Sequence, residues 1–228
     1  MSNSLHQAFN SVLQKIANAN QASGRPQKAR LLAVSKMQPA SAVRDLAALG
    51  QKVFGENYVQ EAIKKQDELK DLQLQWHLIG PLQSNKCPEA AQHFDWIHSV
   101  GRLKLVEPLN RYRPDNREPL NVLIQVNIDS EDSKSGCTPD EIDALAAAIA
   151  KAPRLKLRGL MAIPEPAPTL EARRESFRQL RALFERLKTQ YAECDTLSMG
   201  MSDDYELAIQ EGSTLVRIGS SLFGARKT

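Results

Sequence analysis

The apolar run that opens LLAVSKMQPA (31–40) passes through Ser35 to Lys36. A solvated lysine at a strand end is ordinary. A lysine held at the rim of an apolar interior is instead a nucleophile for a carbonyl carbon. Two short turns are the next feature, Ser198-Met199-Gly200-Met201-Ser202 and Gly219-Ser220-Ser221. Each reads as a strand-to-helix connection. Such turns are either simple caps or a cup of backbone N–H groups aimed at one anion. Arg217 is the third. In LVRIG (215–219) strand alternation puts Leu215, Arg217 and Gly219 on one face, with Val216 and Ile218 on the other. A guanidinium facing an interior needs an acceptor. An acidic neighbour such as Glu56 would make it a structural ion pair; a ligand's ring nitrogen or oxyanion would make it part of a site.

These residues need a frame that gathers them. Eight short β-rich runs fall at 31–36, 52–56, 76–80, 96–100, 121–128, 158–163, 196–201 and 215–224. Between them lie amphipathic stretches such as PASAVRDLAALG (39–50), TPDEIDALAAAIAKA (138–152) and ARRESFRQLRALFERLKTQY (172–191). Their apolar residues recur every three or four positions, as on one face of a helix. Thr138-Pro139 signals a helix start and Gly50 a helix stop. The alternation predicts an α/β protein, either a closed (β/α)8 TIM barrel or an open doubly wound sheet. No GxGxxG follows the first run, and the count of eight favours the barrel. Residues 1–29 form an extra N-terminal helix, 30–226 the barrel, and 1–228 one domain. The Pro-rich stretch 163–172 reads as a loop. Barrels of this type carry their sites at the C-terminal strand ends, with phosphate often held after strands seven and eight. Lys36, Glu56-Asn57, His77, Gly80 and the two turns all fall there. Ser202 is the expected N-cap of a helix starting near Asp203.

Composition narrows the function. The 228 residues carry a net charge of +3, and their basic residues form no stripe interleaved with aromatics, so a nucleic-acid partner is not expected. No apolar run approaches the roughly 18 residues that span a bilayer. The N-terminal MSNSLHQAFNSVLQKI lacks a secretory pattern. Cys87, Cys137 and Cys194 are scattered, which predicts free thiols in a reducing cytoplasm. The four histidines form no metal signature, and His77 reads as a satisfied core residue.

The lysine, the cup and the inward arginine resemble a fold-type III pyridoxal 5′-phosphate (PLP) protein. The motifs AVSKMQP, FGENYVQEA, WHLIGPLQSNK, VNIDSEDSKSG, GLMAIP and LSMGMSDDYELAIQEGSTLVRIGSSLFGAR are similar, in order, to those of the PLP homeostasis proteins (the YggS/PROSC family), from about residue 30 to 226. The resemblance implies a barrel carrying PLP without the β-rich second domain of alanine racemases. It implies an internal aldimine on Lys36, Asn57 beside the cofactor, and Ser202, Gly219 and Ser220 around the phosphate. Arg217 would face the pyridine nitrogen. It also implies PLP as the partner, transient contact with apo PLP-dependent enzymes, and a monomer.

The chemistry is consistent with that resemblance. Apolar surroundings and neighbouring positive charge favour the neutral amine that attacks an aldehyde. An arginine cannot accept the pyridine proton, so the ring is a weaker electron sink than with an aspartate partner. Fold-type III racemases take a tyrosine base from a partner subunit's second domain. The expectation is therefore a non-enzymatic PLP-binding protein of vitamin B6 homeostasis. Its rivals are a weak amino-acid racemase and a Schiff-base enzyme acting on a phosphorylated sugar. Lys134 reads as a solvated loop residue, with a second PLP amine as its sharper alternative.

Overall fold

β1 (Arg30–Val34) shows how the chain builds its frame. Leu31 and Ala33 join the large apolar cluster, while Leu32 and Val34, also buried, do not. Alternation separates two interiors: one between sheet and helices, the other enclosed by the strands. A strand buried on both faces reads as a continuous apolar run. The computed structural model describes residues 3–129, 135–164 and 169–224. Seven parallel strands follow β1: β2 (Val53–Glu56), β3 (Gln75–Leu78), β4 (Trp96–Val100), β5 (Leu120–Gln125), β6 (Leu155–Met161), β7 (Thr196–Ser198) and β8 (Leu215–Ile218). Each pairs with the next, and β1 also pairs with β8 in the register Leu32 to Arg217, closing the eight-stranded barrel. The fold is the mixed α/β TIM barrel that the alternation predicts.

Helices clad the barrel. They are α1 (Asn3–Ser23), α2 (Ala40–Ala48), α3 (Val59–Glu68), α4 (Cys87–His93), α5 (Val106–Tyr112), α6 (Ile142–Ala150), α7 (Leu170–Gln190), α8 (Tyr205–Gln210) and α9 (Ser220–Phe223). α1 is the extra N-terminal helix. Its buried stripe Phe9, Val12, Ile16 and Ala19 recurs every three or four residues, and the helix packs on α8 and α9. Asn20 tethers its far end by bonding both the N–H and the carbonyl of Ala29 at 2.8 and 3.0 Å. Burying side chains of the size of Phe9 or Ile16 contributes roughly 1.5–3 kcal/mol each. Gly50, at φ +104, ends α2 in a conformation that favours glycine. Ahead of α6, the Glu141 carboxylate accepts the Thr138 N–H at 2.8 Å, so the expected start signal is used.

Several expected boundaries move. β1 ends at Val34 and not at Lys36, which lies in the turn beyond. β6 starts three residues earlier than the run at 158, because Leu155, Lys156 and Leu157 pair with β5. β8 stops at Ile218, and the apolar Leu222-Phe223 beyond it belong to α9. The Pro-rich stretch is not loop throughout: α7 already begins at Leu170, with Thr169 accepting the Ala172 N–H at 3.2 Å. Among the described residues no helix is long and apolar enough to cross a membrane. No group of three His, Cys, Asp or Glu is placed to hold a metal ion there.

Candidate functional site at the C-terminal mouth

The enclosed face climbs each strand to the mouth. On β1 it carries Leu32 and Val34 and, continued, Lys36. On β8 it carries Leu215, Arg217 and then Gly219, because Val216 and Ile218 belong to the outer cluster. Lys36, Asn57, Ser202, Arg217, Gly219 and Ser220 all line one cavity of about 270 Å³. Its apolar lining comes from Val34, Ile79, Ile163, Met201 and Phe223. Single-ligand pockets begin at roughly 300 Å³, so the space suits one ring-sized molecule.

Lys36 is half-buried, and the chain around it is tightly held. Ser35 N–H donates to Gly55 O at 3.0 Å. Met37, next along, has φ +63, a left-handed conformation rare for a residue with a side chain. Asn57, also half-buried, follows β2 and is wedged against Gly80. The β7 turn bends at Gly200, φ +90, where a Cβ would stand 2.5 Å from that of Ala208. Glycine is required there.

Ser202 lies in this turn but is not the helix cap. α8 starts at Tyr205, and Asp204 accepts the Met201 N–H at 2.7 Å while pairing with Arg173. Asp204 takes the N-cap position, and its carboxylate ties the turn to Met201 and Arg173 and makes no bond to the first turn of the helix. Beyond β8, the first intrahelical acceptor of α9 is Gly219 O, reached by Leu222 and Phe223 N–H at 2.9 and 3.0 Å. Helix geometry leaves the N–H groups of the first turn without such acceptors. Gly219 sits close to β1, since a Cβ on it would meet Val34 O at 3.1 Å.

Arg217 is 3% exposed and makes no ion pair with Glu56. It donates to Ser198 O and Oγ at 2.9 and 2.7 Å and to Ala162 O at 2.9 Å. Burial pushes its pKa down to about 10, with Asp204 acting in the opposite direction. It remains a cation at neutral pH. Glu56 points the other way, toward α3, because even-numbered positions of β2 face outward. There it accepts from Lys65 at 2.8 Å and from Ser35 Oγ at 2.6 Å. Burial raises the Glu56 pKa, opposed by those two bonds.

Inside the barrel, His77 Nδ1 and His98 Nε2 are 2.9 Å apart, and His77 stacks on Trp96. His77 is the satisfied core histidine expected, with Gln75 Oε1 at 3.2 Å from its other nitrogen. Burial lowers both imidazole pKa values well below the usual range, and the Arg217 charge adds to the effect on His98. Lys134 lies outside the described residues. Sequence reasoning did not assign Ile163, Met201, Phe223 or Asp203 to the site, and all four are in the lining. Val34 and Ile79 were accessible from strand alternation; the others come from loops and α9, whose approach no local pattern encodes.

Comparison with known proteins agrees with this geometry. The family described as "Alanine racemase, N-terminal domain" matches residues 10–227. The pyridoxal phosphate homeostasis protein of Pseudomonas aeruginosa is 55% identical over 216 residues, covering 94% of this chain and 93% of that protein. That of Escherichia coli K12 is 53% identical over 219 residues, covering 94% of each. Among solved structures, PipY of Synechococcus elongatus with PLP bound superposes with a TM-score of 0.80 at 40% identity, covering 92% of this chain and 99% of that one. Alanine racemase from Corynebacterium glutamicum shares the fold, with a TM-score of 0.63 at 21% identity over 95% of this chain and 62% of its own. The chain belongs to the alanine racemase N-terminal domain family and, within it, to the pyridoxal phosphate homeostasis proteins.

Proposed function

We propose that this chain binds PLP in the mouth cavity, holds it covalently through Lys36, and serves PLP homeostasis without being an enzyme. One observation carries the reading: an amine, a serine- and glycine-lined rim and a buried guanidinium converge on a single ring-sized cavity. The names of the relatives and the PLP in PipY support it. The donor set also suits the parts of the cofactor. Gly219, packed so close to β1 that a Cβ would crowd Val34, brings its backbone to the cavity rim, and Ser202 and Ser220 supply hydroxyls. Val34, Ile79 and Ile163 offer apolar surface to a ring.

When bound, PLP supplies an electrophilic aldehyde carbon and an electron-withdrawing pyridine ring. Lys36 would hold the group through its amine, the one nucleophilic nitrogen in the lining suited to that carbon. Arg217 donates and cannot accept a proton, so a ring nitrogen placed beside it would stay unprotonated. Among the described lining residues, Asp203 is the sole carboxylate and there is no His, Tyr or Cys. A lining so poor in proton-transfer groups supports a carrier over a racemase. We take the partners to be PLP and, transiently, apo PLP-dependent enzymes, and the working form to be a monomer.

The test is spectroscopic and chemical. Protein mixed with PLP should gain a near-visible absorption band, and borohydride followed by peptide mapping should label Lys36. Lys36→Ala should lose the band yet melt at nearly the same temperature, because the residue lies beyond β1 and outside the packing layers. Labelling of a different lysine overturns the site. Steady interconversion of amino-acid enantiomers in deuterated water, above that of free PLP, overturns the non-enzymatic reading.

A further inference from the structure

Lys65, on α3, is a lysine that nothing in the cavity uses. It is 5% exposed, and its ammonium makes three bonds: to Ser35 O at 2.6 Å, Glu61 Oε1 at 2.7 Å and Glu56 Oε1 at 2.8 Å. An ammonium has three N–H donors, so all are engaged. Glu61 Oε1 also accepts the Met37 N–H at 2.6 Å. The two peptide planes that meet at the Lys36 Cα are thus both anchored. The 35–36 plane is held through its carbonyl, by Lys65 and by Gln38 N–H at 3.0 Å. The 36–37 plane is held through its N–H, by Glu61. Fixing both planes fixes the backbone angles at Lys36 and the direction of its Cα–Cβ bond.

A merely stabilising role accounts poorly for this network. Replacing buried ion pairs by apolar residues is often neutral or stabilising, so such pairs are weak sources of stability. Here the cost is visible, because Glu56 Oε2 is buried with no hydrogen-bond partner among the described residues. Met37 adds strain at φ +63, which needs surroundings that enforce it. What the network does deliver is geometry beside the reactive amine.

We propose that Lys65 is a positioning residue for Lys36, its ammonium fixing the flanking peptide planes directly at Ser35 and through Glu61 at Met37, and so aiming the Lys36 amine into the cavity. This rests on the reading that Lys36 captures PLP covalently.

Lys65→Met keeps the aliphatic body and removes the donors. Its rate of covalent capture, read from growth of the near-visible band, should fall roughly tenfold to a hundredfold, as expected for a misplaced reacting group. Its affinity for pyridoxine phosphate, which has no aldehyde, should stay within about twofold of wild type, because reach and not binding is disturbed. Should Lys65→Met not fold, Glu61 decides, being partly exposed: Glu61→Ala should slow capture, and Glu61→Gln, which keeps an acceptor for Met37 N–H, should restore it. Capture at the wild-type rate in Lys65→Met or Glu61→Ala overturns the proposal. So does a parallel loss of capture and pyridoxine phosphate binding, which marks a structural role. Borohydride labelling that misses Lys36 in the wild-type protein instead overturns the underlying reading.

Discussion

Gly80 lies so close to Asn57 that a Cβ on it would stand 2.2 Å from the Asn57 carbonyl oxygen and 2.7 Å from its Cα. Backbone cannot yield as a flexible side chain does. Gly80→Ala should therefore push Asn57 from its place beside the cavity, costing about 1–3 kcal/mol of stability as overpacking does and weakening PLP retention. Gly55→Ala is the contrast: the nearest atoms its Cβ would meet are side-chain carbons of Leu32 and Ile79, at 3.3 Å. Urea midpoints and PLP titrations of the two variants should separate, with Gly80→Ala worse in both. Equal effects would mean that Asn57 is not held from Gly80.

Much of this arrangement was legible in the sequence. Eight apolar runs gave the barrel, alternation put Arg217 and Gly219 on one face of the last strand, and position at a strand end put Lys36 at the same rim. Strand ends were not legible, because parallel strands buried on both sides have no polar alternation to mark where pairing stops. β8 merged with α9 for that reason. Of the two partners open to Arg217, the Glu56 ion pair does not form: Glu56 faces outward to Lys65, and the arginine uses carbonyls and a hydroxyl. The spacing of Glu61 and Lys65, four apart on α3, was a readable signal of an ion pair. Its contact with the peptides around Lys36 was not, since it depends on how α3 packs on β1 and β2.

Arg217 braces the mouth by bonding carbonyls at the ends of β6 and β7. Arg217→Met leaves those buried acceptors unpaired, each at a cost of about 1–3 kcal/mol. Arg217→Glu should cost more, because a carboxylate would face Ser198 O and Ala162 O. The melting temperature of the PLP-free protein should fall for both, further for glutamate. If Arg217 also meets the pyridine ring, the added stability conferred by PLP should shrink in Arg217→Met. An unchanged increment would leave Arg217 a brace alone.

The His77–His98 pair sets an acid limit. Both folded pKa values lie below the unfolded one, so the unfolded chain binds more protons at low pH. The stability is therefore complete above the unfolded value of about 6.5 and is lost as pH falls toward the folded values, by up to about 1.4 kcal/mol per pH unit for each histidine. Urea unfolding between neutral pH and mild acid should show this slope. His98→Gln should flatten it; the same slope in the variant would assign the acid sensitivity to other groups.

If the turns after β7 and β8 hold the phosphate, as proposed, that group is the decisive handle. Charge-assisted hydrogen bonds contribute about 1.5–3 kcal/mol each. Pyridoxal, which lacks the phosphate and keeps the aldehyde, loses several of them and should bind roughly a hundredfold or more weaker. Ser202→Ala should cost little by comparison, since it removes one hydroxyl and leaves the backbone donors in place. Gly219→Val should cost far more. Its Cβ would already press on Val34 O at 3.1 Å and Val34 Cβ at 3.3 Å, so the larger side chain would force the turn after β8 away from β1. Parallel titrations of the PLP-free protein with PLP and with pyridoxal measure the difference directly. Equal affinities would put the phosphate in solvent, and Ser202, Gly219 and Ser220 would revert to caps and tight turns.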